Sequence, residues 1–99
     1  MAKGKTAERY VIVRTYSAGC FAGVLEAHNG KEVSLREARR LWNWKGAQTL
    51  SCLAAVGTTR PNECRFPAPV RITVTEAIEI IDCTEAGRRS IESVPVWTA

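Results

Sequence analysis

Apolar and polar residues alternate with period two around Tyr10-Val11-Ile12-Val13, which predicts a strand over residues 9–16. Ser17-Ala18-Gly19 reads as a turn, and residues 20–28 as a second strand interrupted at Gly23 by a bulge or a close backbone approach. His28-Asn29-Gly30-Lys31 carries the Asn-Gly signature of a type I′ hairpin, so residues 32–35 form a third, antiparallel strand. Over residues 36–45 the periods conflict. Leu35, Ala38, Leu41 and Trp42 fit a helical stripe, whereas Arg40, Trp42 and Trp44 fit strand alternation. An irregular start followed by a short strand over residues 41–44 is expected.

Beyond this, Leu50, Leu53, Ala54 and Val56 recur at helical spacing in a helix opened by Gly46-Ala47 and stopped by Gly57. Four prolines and Asn62 mark the surroundings of a loop over residues 58–69 and of the tail: Pro61, Pro67, Pro69 and Pro95. Val70 to Val74 alternates as a strand, and residues 77–81 are a further strand or its continuation across a bulge. Thr84 is placed to N-cap a short amphipathic helix ending near Ser93, followed by a tail whose Trp97 must dock somewhere. The prediction is an α+β fold, a small twisted antiparallel sheet of about five strands with one or two short helices. Residues 1–8 are expected to be a flexible basic arm and residues 9–99 a single domain.

Composition narrows the function classes. A 99-residue chain with 45% hydrophobic residues folds as one domain with a modest core, and self-association is a ready source of further burial. The net charge of +4 is unevenly spread. Residues 1–75 carry a balance of +7 and residues 76–99 a balance of −3, an asymmetry that suits an anionic ligand or head-to-tail contact between copies. Cys20, Cys52, Cys64 and Cys83 are far apart, no C-x-x-C occurs, and the single His28 sits in a turn. No metal site and no cofactor are implied. The start of the chain does not read as a secretory leader and no stretch is long and apolar enough to span a bilayer, so a cytoplasmic protein with reduced thiols is expected.

Candidate chemistry concentrates in Ala38-Arg39-Arg40-Leu41-Trp42-Asn43-Trp44-Lys45-Gly46, where three cations and two indoles fall within nine residues. If extended, the segment places Arg40, Trp42 and Trp44 on one face, a guanidinium beside aromatic surface that suits a base, a phosphate or an acidic partner. The competing interpretation makes the tryptophans core and lets the arginines reach to water. Arg14-Thr15-Tyr16-Ser17-Ala18-Gly19 adds a guanidinium, hydroxyls and a glycine turn whose backbone N–H groups are a candidate phosphate cradle. No nucleophile–base pair, P-loop or G-x-G-x-x-G is present, and Glu76 and Glu79 fall on opposite faces of a strand, so catalysis is not expected.

Three further segments, Gly30-Lys31-Glu32-Val33-x-Leu35, Ala38-Arg39-Arg40-Leu41-Trp42-Asn43-Trp44-x-Gly46-Ala47 and Thr75-Glu76-Ala77-Ile78-Glu79-Ile80-Ile81-x-Cys83-Thr84, combine with the Arg14–Gly19 run. Together they resemble an uncharacterised family of small proteins from tailed phages and prophages, over roughly residues 10–84. The resemblance implies the context of a phage accessory protein in the host cytoplasm, a class rich in host-directed binders, regulators and virion parts. The resulting expectation is a non-enzymatic protein that binds an anionic, nucleotide-like ligand through Arg14, Tyr16, Ser17, Arg39, Arg40, Trp42 and Trp44. The ligand lies on a surface or in a pocket between subunits of a homo-oligomer, and sequestering a host immune signal is one use of such binding. The alternatives are a protein–protein role, in the virion or against a host factor, and direct contact with nucleic acid, for which the charge excess is modest. No membrane partner is expected.

Overall fold

The computed structural model describes residues 8–98, so the expected arm lies, except for Glu8, outside the described residues. Strands β1 (Tyr10–Thr15), β2 (Cys20–Asn29) and β3 (Glu32–Arg40) form a meander. Helix α1 (Leu50–Val56) and one turn of 3-10 helix (Pro61–Glu63) precede strands β4 (Val70–Val74) and β5 (Ala77–Asp82) and helix α2 (Glu85–Ser93). The five strands make one antiparallel sheet in the order β4-β3-β2-β1-β5, giving the expected small α+β fold.

The connection between β4 and β5 dictates the shape of the sheet. They lie on opposite edges, yet only Thr75 and Glu76 separate them. Four interstrand spacings of a flat sheet come to ~19 Å, whereas Val74 and Ala77 can be at most ~11 Å apart along the chain. The sheet is therefore rolled. The link touches both ends of the roll: Tyr16 N–H donates to the Glu76 carbonyl at 3.0 Å, and Ala77 N–H to the Lys31 carbonyl at 3.0 Å.

Rolling gives the sheet two cores. Val11 and Val13 point inward with Phe21, Val33, Leu35, Ala38 and Val74, a buried cluster that includes no helix residue and is covered by the curved sheet itself. Tyr10 and Ile12 point to the outer side, where Ala22 and Val24 meet Leu41, Leu53, Ala54, Phe66 and Ile91. Strand β1 is thus buried on both faces, which explains its nearly unbroken apolar run. The helices cover the outer core, and the cap of α2 also serves the C-terminal end of α1. Thr49 accepts from Cys52 N–H at α1, Thr84 accepts from Gly87 N–H at α2, and Thr84 Oγ1 donates to the Ala55 carbonyl at 2.6 Å.

Several local expectations need correction. The hairpin turn is Gly30-Lys31, because Asn29 still pairs with Glu32. Gly30 has φ 61 at the first central position, the place a II′ turn requires glycine, so the turn sits one residue later than Asn-Gly chemistry suggests. Gly23 marks a register shift as expected, and a β-carbon there would lie 2.9 Å from the Ala38 backbone. Residues 36–40 continue β3 instead of starting irregularly, and residues 41–44 are not a strand: Leu41 N–H makes a last bond to Cys20, and only Asn43 pairs again, with Arg65. Helix α1 begins at Leu50, where Thr49 caps it, and not at Gly46. Of the two readings left open for residues 77–81, a further strand or a continuation across a bulge, the further strand holds: β5 is separate from β4 and sits at the opposite edge.

Candidate functional site

Arg39 and Arg40 are neighbours with opposite fates. Arg39 is 4% exposed, and each of its five N–H groups points at a backbone carbonyl. Nε reaches Pro67 at 3.3 Å, Nη1 reaches Ile91 at 3.1 Å and Val94 at 2.6 Å, and Nη2 reaches Phe66 at 2.7 Å and Pro95 at 3.4 Å. The guanidinium satisfies carbonyls at the C-terminus of α2 and stitches three chain segments together. Burial without a carboxylate partner lowers its pKa from the usual arginine value. Arg39 thus has no N–H left to offer a ligand. Arg40 faces outward, lies over the Phe21 ring at 4.5 Å and donates to the Ala18 carbonyl at 2.7 Å.

The Arg14–Gly19 run is also committed internally. Thr15 N–H and Oγ1 both donate to the Gly19 carbonyl, Ala18 N–H donates to Thr15 Oγ1, and Tyr16 N–H donates to Glu76. Those three amides are not open to a phosphate, which takes them out of the cradle expected from the glycine turn. Arg14 Nε donates to Glu79 at 3.0 Å, and the Ser17 hydroxyl donates to the Glu76 carboxylate. Tyr16 alone of this group is free, 80% exposed beside Lys31 and Ile78. The expected pairing of this run with the tryptophans is therefore reduced to the Arg40–Ala18 contact.

The tryptophans divide as well. Trp44 is half-buried against the outer core, as the core interpretation has it. Trp42 is 56% exposed and stacks on Trp97, with ring centroids 4.8 Å apart and planes inclined by 29°. The Arg65 guanidinium lies 5.6 Å from each of the two ring centroids. Three short extended runs hold this platform in place. Arg65 N–H bonds to Asn43 at 2.7 Å, Trp97 N–H bonds to Phe66 at 3.0 Å, and Phe66 pairs in parallel with Val96. Arg39 ties down the same runs from beneath, through Phe66, Val94 and Pro95. A cleft of about 290 Å³ opens beside Trp97, walled by Pro61, Asn62, Cys64 and Pro95.

Arg9, Arg14, Arg36, Arg71, Arg88 and Arg89 each form an ion pair with a carboxylate, and Arg60, next to the cleft, pairs with Glu63. Among the described residues Lys31, Arg39, Arg40, Lys45 and Arg65 have no carboxylate within salt-bridge distance; of these, Arg65 lies over the aromatic platform and Lys45 is near it in sequence, its backbone N–H on Cys64. Trp97 and Arg65 were not legible as site residues. The only sequence signal was that the tail tryptophan needed a docking place.

No cluster of three His, Cys, Asp or Glu side chains able to hold a metal ion occurs among the described residues. The four cysteines are free thiols. Burial pushes the Cys83 thiol up to about 12 and raises that of Cys20, so neither is a ready nucleophile at neutral pH. No helix among the described residues is long and apolar enough to cross a membrane.

A family model described as "Domain of unknown function (DUF6948)" matches residues 8–91, and the chain belongs to that family. The match runs from Glu8 into α2 and includes Trp42 and Arg65 but stops short of Trp97. No curated protein and no solved structure matches the chain.

Proposed function

We propose that this chain is a non-enzymatic binding protein whose ligand is anionic and carries an aromatic ring, as a nucleotide does, and that the ligand lies on the Trp42–Trp97–Arg65 surface. The observation that carries the proposal is the stacked indole pair left in water with a guanidinium over both rings. An outer indole face offers stacking to a base, and Arg65 and Lys45, lacking acid partners, offer charge to a phosphate. In the phage setting implied by the sequence segments, such binding would serve to sequester a host nucleotide signal.

Tryptophan fluorescence titration tests this with ATP and a twelve-residue oligothymidylate as probes. Saturable quenching by ATP, weakened about tenfold in Arg65→Ala, is the expected result. Binding of the oligonucleotide alone, falling linearly in log–log terms with salt, would move the assignment to single-stranded nucleic acid. If neither probe quenches, the nucleotide proposal is lost. The protein–protein alternative would then rest on Tyr16 and Ile78, an exposed aromatic–aliphatic pair lining one cleft at the end of the rolled sheet.

A further inference from the structure

A second cleft, of about 260 Å³, lies between the bulge of β3, α2 and the segment that follows α2. Its walls are Pro69, Val94 and Val96, and its polar lining is Tyr10, Glu37, Glu92 and the edge of Arg39. Tyr10 is 5% exposed, and its hydroxyl has no hydrogen-bond partner. Buried phenol hydroxyls are nearly always satisfied, so an orphan in a cleft wall points to a missing partner. Burial first, then the negative charge of Glu92, raises the Tyr10 pKa and keeps the phenol neutral.

The other polar groups define what that partner is. Glu37 is the one non-glycine residue among those described with positive φ, at 51°, a conformation that glycine adopts at lower cost. Its carboxylate accepts no hydrogen bond, and its ion pair is a loose one with Arg36 Nη1 at 3.6 Å, an arginine whose Nη2 is given to Glu8. Glu92 accepts from Arg88 through Oε2 at 3.1 Å, which leaves Oε1 free. Arg39 contributes no donor, because all five of its N–H groups are held by carbonyls. An anion entering this cleft would meet two carboxylates and a single donor. A cation on an alkyl stem would meet acceptors at its head and apolar walls along its stem.

We propose that this cleft binds an alkyl-guanidinium or alkyl-ammonium group, its head between Glu37 and Glu92 against the Tyr10 hydroxyl and its stem along Pro69, Val94 and Val96. The site is separate from the aromatic platform and takes ligand of the opposite charge, so the two proposals stand or fall independently. Two sources share the chemistry: a free small amine or guanidine, and an arginine or lysine side chain of a partner protein.

Amide chemical-shift titration of the full chain tests the proposal with n-butylguanidinium, its neutral isostere n-butylurea, and the tripeptide Gly-Arg-Gly. The expected result is saturable shifts at Tyr10, Glu37, Val94 and Val96 with n-butylguanidinium, and binding of the urea at least tenfold weaker. Glu37→Gln should weaken binding about tenfold and Tyr10→Phe several-fold. Glu37→Gly relieves the strained φ, so it should melt no lower than the parent and still lose binding, which separates recognition from folding. Tighter binding of the tripeptide than of n-butylguanidinium assigns the site to a basic side chain of a partner, and the reverse assigns it to a free small molecule. No saturable shift with either cation, equal binding of the urea, or parental affinity in both Glu37→Gln and Tyr10→Phe would overturn the proposal.

Discussion

Arginines on two sides of this molecule do different work. Around the rolled sheet and along α2, six arginines have a carboxylate partner, often across strands, as in Arg14–Glu79 and Arg71–Glu26. Over the indole pair Arg65 has none, and its nearest groups are the two aromatic faces. A paired surface arginine presents little net charge and contributes little to stability. An unpaired one beside exposed tryptophan keeps its charge available. Of the +7 balance of residues 1–75, the acids outside that stretch answer Arg9 through Asp82 and Arg14 through Glu79, so the balance only partly overstates the basic surface.

Arg39 is the exception, a buried cation with neither acid nor solvent, and it provides the sharpest way to break the comparison. Arg39→Met leaves several carbonyls around Phe66, Ile91 and Val94 without donors and should cost about 3–5 kcal/mol, read as a lower urea midpoint. Arg40→Met, one residue on, should cost less than about 1 kcal/mol. Equal effects at the two positions would mean that the carbonyl cage does not anchor the tail. The tryptophans should separate in the same way. Trp44→Ala removes a ring packed on the outer core and should cost about 2–4 kcal/mol, whereas Trp42→Ala loses an exposed stack worth about 1 kcal/mol.

The Arg39–Arg40–Trp42–Trp44 segment also shows what a sequence can and cannot disclose. Alternation located β1 and β4, and Thr84 announced the cap of α2, because these depend on neighbours in the chain. Alternation also assigned Arg39 to the face opposite Arg40, correctly, yet it could not say that this face was a closed cage of carbonyls from residues 27 to 56 positions away. Trp44 lies on the side of Trp42 in a strand but turns inward here, because the ladder ends at Leu41 and the chain leaves the sheet. Trp97 and Arg65 joined the site through two isolated bridges that have no local signature. The rolled shape followed from the two-residue β4–β5 link, where the sequence left open a further strand or a continuation across a bulge and did not place the strand at the opposite edge.

Stability and binding should come apart at the exposed arginines. Arg14→Ala and Arg65→Ala should each move folding stability by no more than about 0.5 kcal/mol, since both side chains are largely solvated or stacked at the surface. Only Arg65→Ala should weaken nucleotide-dependent quenching. A loss of quenching in Arg14→Ala would place the ligand near β5 and erase the distinction between the paired and the unpaired surface.

The smallest effect belongs to the paired side and appears only in acid. Hydrogen bonds from Arg36 first, and then from Arg88, lower the Glu8 pKa from its ordinary value of 4.5. A carboxylate with a lowered folded-state pKa stabilises the fold above its unfolded pKa, and that contribution is lost as pH falls through the folded value. Glu8→Gln should therefore leave the Tm nearly unchanged well below the folded pKa and lower it slightly near neutrality, so that the acid limb of a Tm-against-pH curve is flatter than in the parent. Added salt should shrink the difference, because all three side chains reach solvent. Lys45→Ala and Arg65→Ala, which have no acid partner to titrate, should leave the acid limb parallel to that of the parent. Curves that flatten equally in all three variants would mean that the cations around the tryptophans are coupled to carboxylates after all.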